Sequence, residues 1–199
     1  MTDEVWSPID VGDGQWLIYG PRFGRSYLLE GADALAPHFL RIVGLRREAR
    51  YDSILDPARS VSNTRHEVVS RNAGGASRLA RGCYRLLGMS RHIMPLRMAA
   101  RLVRAIALVT RRSGEPQSIV EVIAQRLHET EQGRGDCYPR ALMTAYLALR
   151  AGHACTLTIG ALAPTRKMHV WCTLDGIIPY EPSPEHYLYQ PLWTMALKA

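Results

Sequence analysis

The sequence predicts an α+β fold in which a helix packs on an antiparallel sheet, with a smaller β-hairpin and helix ahead of it. Three observations carry this. Asp136-Cys137-Tyr138-Pro139-Arg140 opens an apolar run to Leu149 at helical spacing. Two stretches near the C-terminus, 154–160 and 168–174, alternate in polarity as half-buried strands do. Near the N-terminus, Trp16-Leu17-Ile18-Tyr19 and Ser26-Tyr27-Leu28-Leu29 flank the turn-rich Gly20-Pro21-Arg22-Phe23-Gly24.

At 199 residues and 47% hydrophobic content the chain fits one ordinary domain or two small ones. It contains no run of 18 uncharged apolar residues, so no membrane-spanning helix is expected. Met1-Thr2-Asp3-Glu4 is acidic and leads into no apolar stretch, unlike a secretory signal. Cys83, Cys137, Cys155 and Cys172 form neither a CxxC pair nor a metal-ligand pattern. A cytoplasmic protein with free thiols, and with no metal or cofactor, is the expectation.

Residues 1–60 read as a small β/α unit. The hairpin is followed by Glu30-Gly31-Ala32, and a helix is expected over 34–43 with Leu35, Phe39, Ile42 and Val43 on one face. So few elements cannot enclose a large core. The unit needs the rest of the chain or an added peptide strand against it.

Residues 61–112 read as an arginine-rich helical connector. From Arg59 to Arg112 there are twelve arginines, no lysine and one acid, Glu67; the net +7 of the whole chain therefore leaves the remainder acidic. Asn72-Ala73-Gly74-Gly75 predicts a break, and helices are expected over 76–87 and 96–111. In the second, Leu96, Ala99, Ala100, Val103, Ile106 and Ala107 form an apolar face beside Arg97, Arg101 and Arg104. Such clustering suits a solvated face, an acidic protein or lipid surface, or nucleic acid. The almost exclusive use of Arg favours compositional bias. No nucleic-acid-binding signature accompanies it, so no nucleic-acid partner is expected, and nothing specific argues for membrane association.

Residues 113–199 carry the chemistry. Ser113-Gly114-Glu115-Pro116 breaks the chain, and Ser118 is placed to cap a helix with Ile119, Val122, Ile123 and Leu127 on one face and Glu121 at the capping-box position. Gln132 to Gly135 reads as a loop. Asp136 is then a good N-cap for a helix beginning at Cys137, with Pro139 in the first turn, where a missing N–H costs little, and Ala151-Gly152 as the stop. A cysteine here meets free backbone N–H groups and the positive end of the helix dipole, which favour a thiolate nucleophile. Cys155 and Cys172 fall on the apolar sides of their strands and read as core. His169 falls on the other side of its strand, with Trp171 and Thr173.

Asp175-Gly176 marks a turn, and 177–181 reads as a returning strand. Two registers are open. A two-residue loop places His169 opposite Pro182, with Glu181 on the far side. A three-residue loop, 174–176 with a bulge at Gly176, places His169 opposite Glu181. The second makes chemical sense of an acid in an apolar strand. Asp175 is a poorer partner, since six residues of strand span roughly 20 Å. The candidate set is Cys137 as nucleophile, His169 as base and Glu181 as orienter of the imidazole.

The order Cys, His, acid is that of papain-like and transglutaminase-like folds. Residues 136–181 more specifically resemble the transglutaminase-like leader peptidases of lasso-peptide biosynthesis, the B proteins. The resemblance rests on Asp136-Cys137, Leu157-Thr158-Ile159-Gly160, Met168-His169-Val170-Trp171, Asp175-Gly176, and spacings of 32 from Cys137 to His169 and 12 from His169 to Glu181. The chain length is similar to that of the fused proteobacterial form, whose leader-recognition unit precedes the peptidase and is matched here by residues 1–60. The resemblance implies removal of the leader from a precursor peptide, beside an asparagine-synthetase-like, ATP-dependent cyclase that closes the macrolactam. The acid of that family is usually Asp. Glu181 carries an extra methylene, which keeps the bond only if its backbone stands further off. A non-catalytic scaffold that presents the precursor is the competing expectation.

Overall fold

The computed structural model describes residues 4–6, 8–30, 78–110, 119–131, 136–162, 165, 167–181 and 188–199. Four helices pack on antiparallel sheet, as the hydrophobic patterning predicts. In chain order the elements are β1 (Glu4–Trp6), β2 (Ile9–Gly12), β3 (Gln15–Gly20), β4 (Arg25–Glu30), α1 (Arg78–Ser90), α2 (Leu96–Val109), α3 (Ile119–Glu131), α4 (Cys137–Arg150), β5 (Cys155–Leu162), β6 (Lys167–Thr173) and β7 (Gln190–Leu197). The helix expected over 34–43, the breaks at 72–75 and 113–116, the loop 132–135, the Ser118 cap and the unit boundaries at 60 and 112 lie outside the described residues.

The main sheet has the order β1-β7-β5-β6, and β2-β3-β4 form a second, three-stranded sheet. The hairpin of β3 and β4 closes as predicted, with Gly24 in the left-handed region at φ 66°. Two strands of the main sheet are not legible from patterning. β1 has three residues. β7 begins at Gln190-Pro191, and a bulge between Ile159 and Gly160 of its neighbour puts Leu192 and Trp193 both in the interior, which breaks the period of two.

One face of β5, β6 and β7 (Leu157, Ile159, Val170, Cys172, Met195 and Leu197) packs with the helices in a single core. Ile9, Leu17 and Tyr19 of the N-terminal strands belong to that same core, and the Tyr19 ring lies 5.8 Å from Trp193. On α2, Leu96, Ala99, Ala100, Val103 and Ala107 are buried as expected. Ile106 departs from the expectation and is exposed, because it lies at the rim of the apolar stripe.

The arginines of α2 fasten neighbouring elements and are more than a solvated face. Arg97 Nε donates to Glu4 Oε1 at 2.9 Å, with Arg101 at 3.7 Å, which ties β1 to the helix. Arg104 Nε donates to the Lys198 carbonyl at 2.8 Å.

Candidate active site

The start of α4 is built as its sequence dictates. Asp136 has extended backbone and its side chain accepts from the Tyr138 N–H at 3.3 Å, so Cys137 is the first helical residue. α1 and the turn after it hold this N-cap in place: Tyr84 Oη donates to the Asp136 carbonyl at 3.0 Å, and Arg91 Nη1 pairs with Asp136 Oδ2 at 3.0 Å. At the other end, Gly152 at φ 89° allows Gly152 N–H to reach Leu149 O and His153 N–H to reach Ala148 O, which ends the helix in a Schellman motif.

His169 lies on β6, at one edge of the main sheet, directly opposite Gly160 on β5. Its side chain shares a face of the strand with Trp171, opposite Val170 and Cys172. There the imidazole stacks on Trp171 (centroids 5.8 Å apart, planes 21°) and sits against Tyr189 at 4.9 Å. Gly160 is needed for this packing. A Cβ there would come within 2.7 Å of the Trp171 ring and 2.6 Å of the Gln190 carbonyl.

The turn after β6 corrects the register expected for Glu181. Leu174 and Ile177 exchange both backbone hydrogen bonds, at 2.9 and 2.8 Å, around a two-residue loop. Asp175 and Gly176 both have positive φ, 50° and 82°, the pattern of a type I′ turn. The three-residue bulged loop is absent, and the described residues 177–181 form no strand: they carry single bridges at Ile177, paired with Leu174, and at Ile178. Pro179 offers no N–H to extend a ladder. Glu181 therefore approaches His169 from irregular chain, free of strand alternation, and its extra methylene is accommodated. Glu181 Oε2 lies 2.9 Å from His169 Nε2.

The structure thus brings Cys137, His169 and Glu181 together. Cys137 and Glu181 both act on the His169 imidazole. With Nε2 committed to Glu181, Nδ1 is the ring nitrogen left for the thiol. Burial by itself pushes the imidazole down, but the hydrogen bonds to Cys137 and Glu181 and the charges on those partners raise it from 6.5 to about 9.

A fourth residue escapes the sequence reading. Arg140, one turn along α4 from Cys137, is buried, and its Nη1 donates to Glu181 Oε1 at 2.6 Å. The guanidinium also lies 6.0 Å from the Tyr180 ring. Its signal was present: an arginine three residues after the cysteine, in a helix with few other polar residues, is on the buried side at helical spacing. Among the described residues, the buried charged side chains and the buried histidine all belong to this one cluster.

The other cysteines lie elsewhere. Cys83 is exposed, while Cys155 and Cys172 are in the core, where burial and the neighbouring Cys155 push the Cys172 thiol well up. No group of three described His, Cys, Asp or Glu side chains is arranged to hold a metal. No described helix is long and apolar enough to cross a membrane.

A thiol at a helix start, an imidazole against it and a carboxylate on the far ring nitrogen form the constellation of nucleophilic acyl chemistry. Comparison with known proteins agrees with the fold. The family model described as the Transglutaminase-like superfamily matches residues 79–194, which span α1 to β7. No curated protein and no solved structure matches the chain. The match covers more than half of the sequence, and the chain belongs to the transglutaminase-like superfamily.

Proposed function

We propose that this protein is a cytoplasmic cysteine peptidase that removes the leader from a ribosomally made lasso-peptide precursor, before an asparagine-synthetase-like cyclase closes the macrolactam. The observation that carries the thiol chemistry is the Glu181–His169 bond of 2.9 Å, with Cys137 close enough to act on the same imidazole. The choice of substrate rests on the sequence resemblance over residues 136–181.

In this reading His169 Nδ1 takes the Cys137 proton as Sγ attacks the scissile carbonyl carbon. Backbone N–H groups at the start of α4 face the developing oxyanion. His169 then returns the proton to the leaving amine as the C–N bond breaks. Water, giving its proton to His169, attacks the thioester carbon, and the sulfur leaves to be reprotonated. Glu181 holds the ring in the tautomer and orientation that both halves need.

The N-terminal hairpin is the proposed holder of the leader. β4 pairs only with β3 among the described residues, so its outer side suits an added strand, whose tethering raises the local concentration of the cut site.

Mass spectrometry of a precursor peptide from a neighbouring gene tests the reading, with wild type and Cys137→Ala, with and without the cyclase and ATP. Leader release by wild type alone is the expected result. Binding without release in every condition would favour the scaffold reading in its place.

A further inference from the structure

Glu181 is buried, with a side chain 1% exposed, and a carboxylate so placed takes up a proton unless cations compensate it. His169 supplies one only while it is protonated. Each catalytic half-reaction requires the imidazole to give that proton up. Arg140, itself 5% exposed at the side chain, stays paired with the carboxylate at those moments.

Thiol, neutral imidazole, carboxylate and guanidinium sum to zero, and moving the proton from Cys137 to His169 leaves the sum at zero. Without the guanidinium, thiol, neutral imidazole and carboxylate sum to one buried negative charge.

The geometry adds a second role. Arg140 Nη1 engages Oε1 at 2.6 Å, which leaves Oε2 for His169 at 2.9 Å. Cys137 and Arg140 stand one turn apart on the same helix, so one rigid element sets both the sulfur and, through Glu181, the imidazole.

We propose that Arg140 is the positioning residue of this site: it clamps Glu181 so that one carboxylate oxygen is presented to His169, and it keeps that carboxylate ionised when the imidazole is neutral. The inference rests on the cysteine–histidine reading of the site. It does not depend on the peptide that is cut.

The test uses the full chain and no substrate. Two quantities are measured in wild type, Arg140→Lys, Arg140→Met, Glu181→Gln and Arg140→Lys/Glu181→Gln. One is the His169 titration midpoint by NMR; the other is the rate of Cys137 alkylation by iodoacetamide across pH. Arg140→Met is expected to move the His169 midpoint from about 9 by at least about one pH unit, because imidazole and carboxylate then compete for one proton without the guanidinium beside them. Arg140→Lys keeps the charge and loses the planar fork, so alkylation slows severalfold while the midpoint moves less. In the Glu181→Gln background, Arg140→Lys has no further effect, because the residue acts through the carboxylate. An unchanged midpoint in Arg140→Met overturns the proposal. So does an Arg140→Lys effect that is absent in the parent or persists in full beside Glu181→Gln. This double-mutant cycle decides the matter even if Arg140→Met does not fold. Wild-type Cys137 alkylating no faster than exposed Cys83 would instead overturn the reading of the site itself, and this inference with it.

Discussion

At the scale of the residue, the site is an imidazole whose environment works in two directions. Burial disfavours its charge, and Cys137 and Glu181 more than offset that. A histidine held above 6.5 in the folded state stabilises the fold when protonated. That contribution is complete below about pH 6.5 and lost as pH rises through about 9. Urea denaturation of wild type and His169→Gln should therefore give a stability difference that shrinks between pH 6 and pH 10. A difference that grows over that range would contradict the assignment. The thiols should also separate in the native state: Cys137 alkylates fastest, Cys83 at an ordinary rate, and Cys155 and Cys172 only on unfolding, as mass mapping of a timed iodoacetamide reaction would show. Gly160→Ala drives a methyl into the Trp171 ring and the Gln190 carbonyl, and the backbone atom cannot swing aside. A loss of about 1–3 kcal/mol in denaturant titrations and slower Cys137 alkylation are expected, since Trp171 carries the His169 ring.

At the scale of the element, α4 matters most, and its first turn is held by one side chain. Asp136 caps the helix and receives Arg91. Asp136→Ala should cost about 1 kcal/mol through the lost cap and displace Cys137. Asp136→Asn keeps the cap and loses only an exposed ion pair, worth at most about 1 kcal/mol. Thermal melts that rank the two substitutions equally would locate the role of Asp136 in its charge. The turn after β6 is a second case. Asp175-Gly176 was recognisable as a hairpin signal, and the structure has the tight turn, yet the described residues 177–181 carry single bridges and no strand. Turn chemistry is local and therefore legible. Continuation of a ladder depends on what the next residues meet, and here Pro179 has no N–H to give.

At the scale of the whole molecule, the arginine-rich helices and the C-terminal chemistry share one core. α1 and α2 both pack on α4, and α2 contributes Leu96, Ala100 and Ala107 to the same cluster as Leu142 and Leu149. A fragment of residues 113–199 exposes that face of α4 and lacks β1 beside β7. It should not show a cooperative thermal transition and should bind the dye ANS, whereas the full chain should melt in one step. A fragment that melts cooperatively would show that the C-terminal elements suffice for a core.

The sequence by itself determined the helix that begins at Cys137, two strands read over 154–160 and 168–174 and found at 155–162 and 167–173, the core placement of Cys155 and Cys172, and the candidate set Cys137, His169 and Glu181. These follow from capping, periodicity and turn residues, which act over a few positions. Only the tertiary structure decided how Glu181 reaches His169, that Arg140 stands behind it, that Gly160 makes room for Trp171, and that β1 and β7 complete the main sheet. Each of these depends on segments 11 to 191 residues apart meeting in space. Their cause is burial. A buried carboxylate must find its cation and a buried ring its space, wherever in the chain the partner lies.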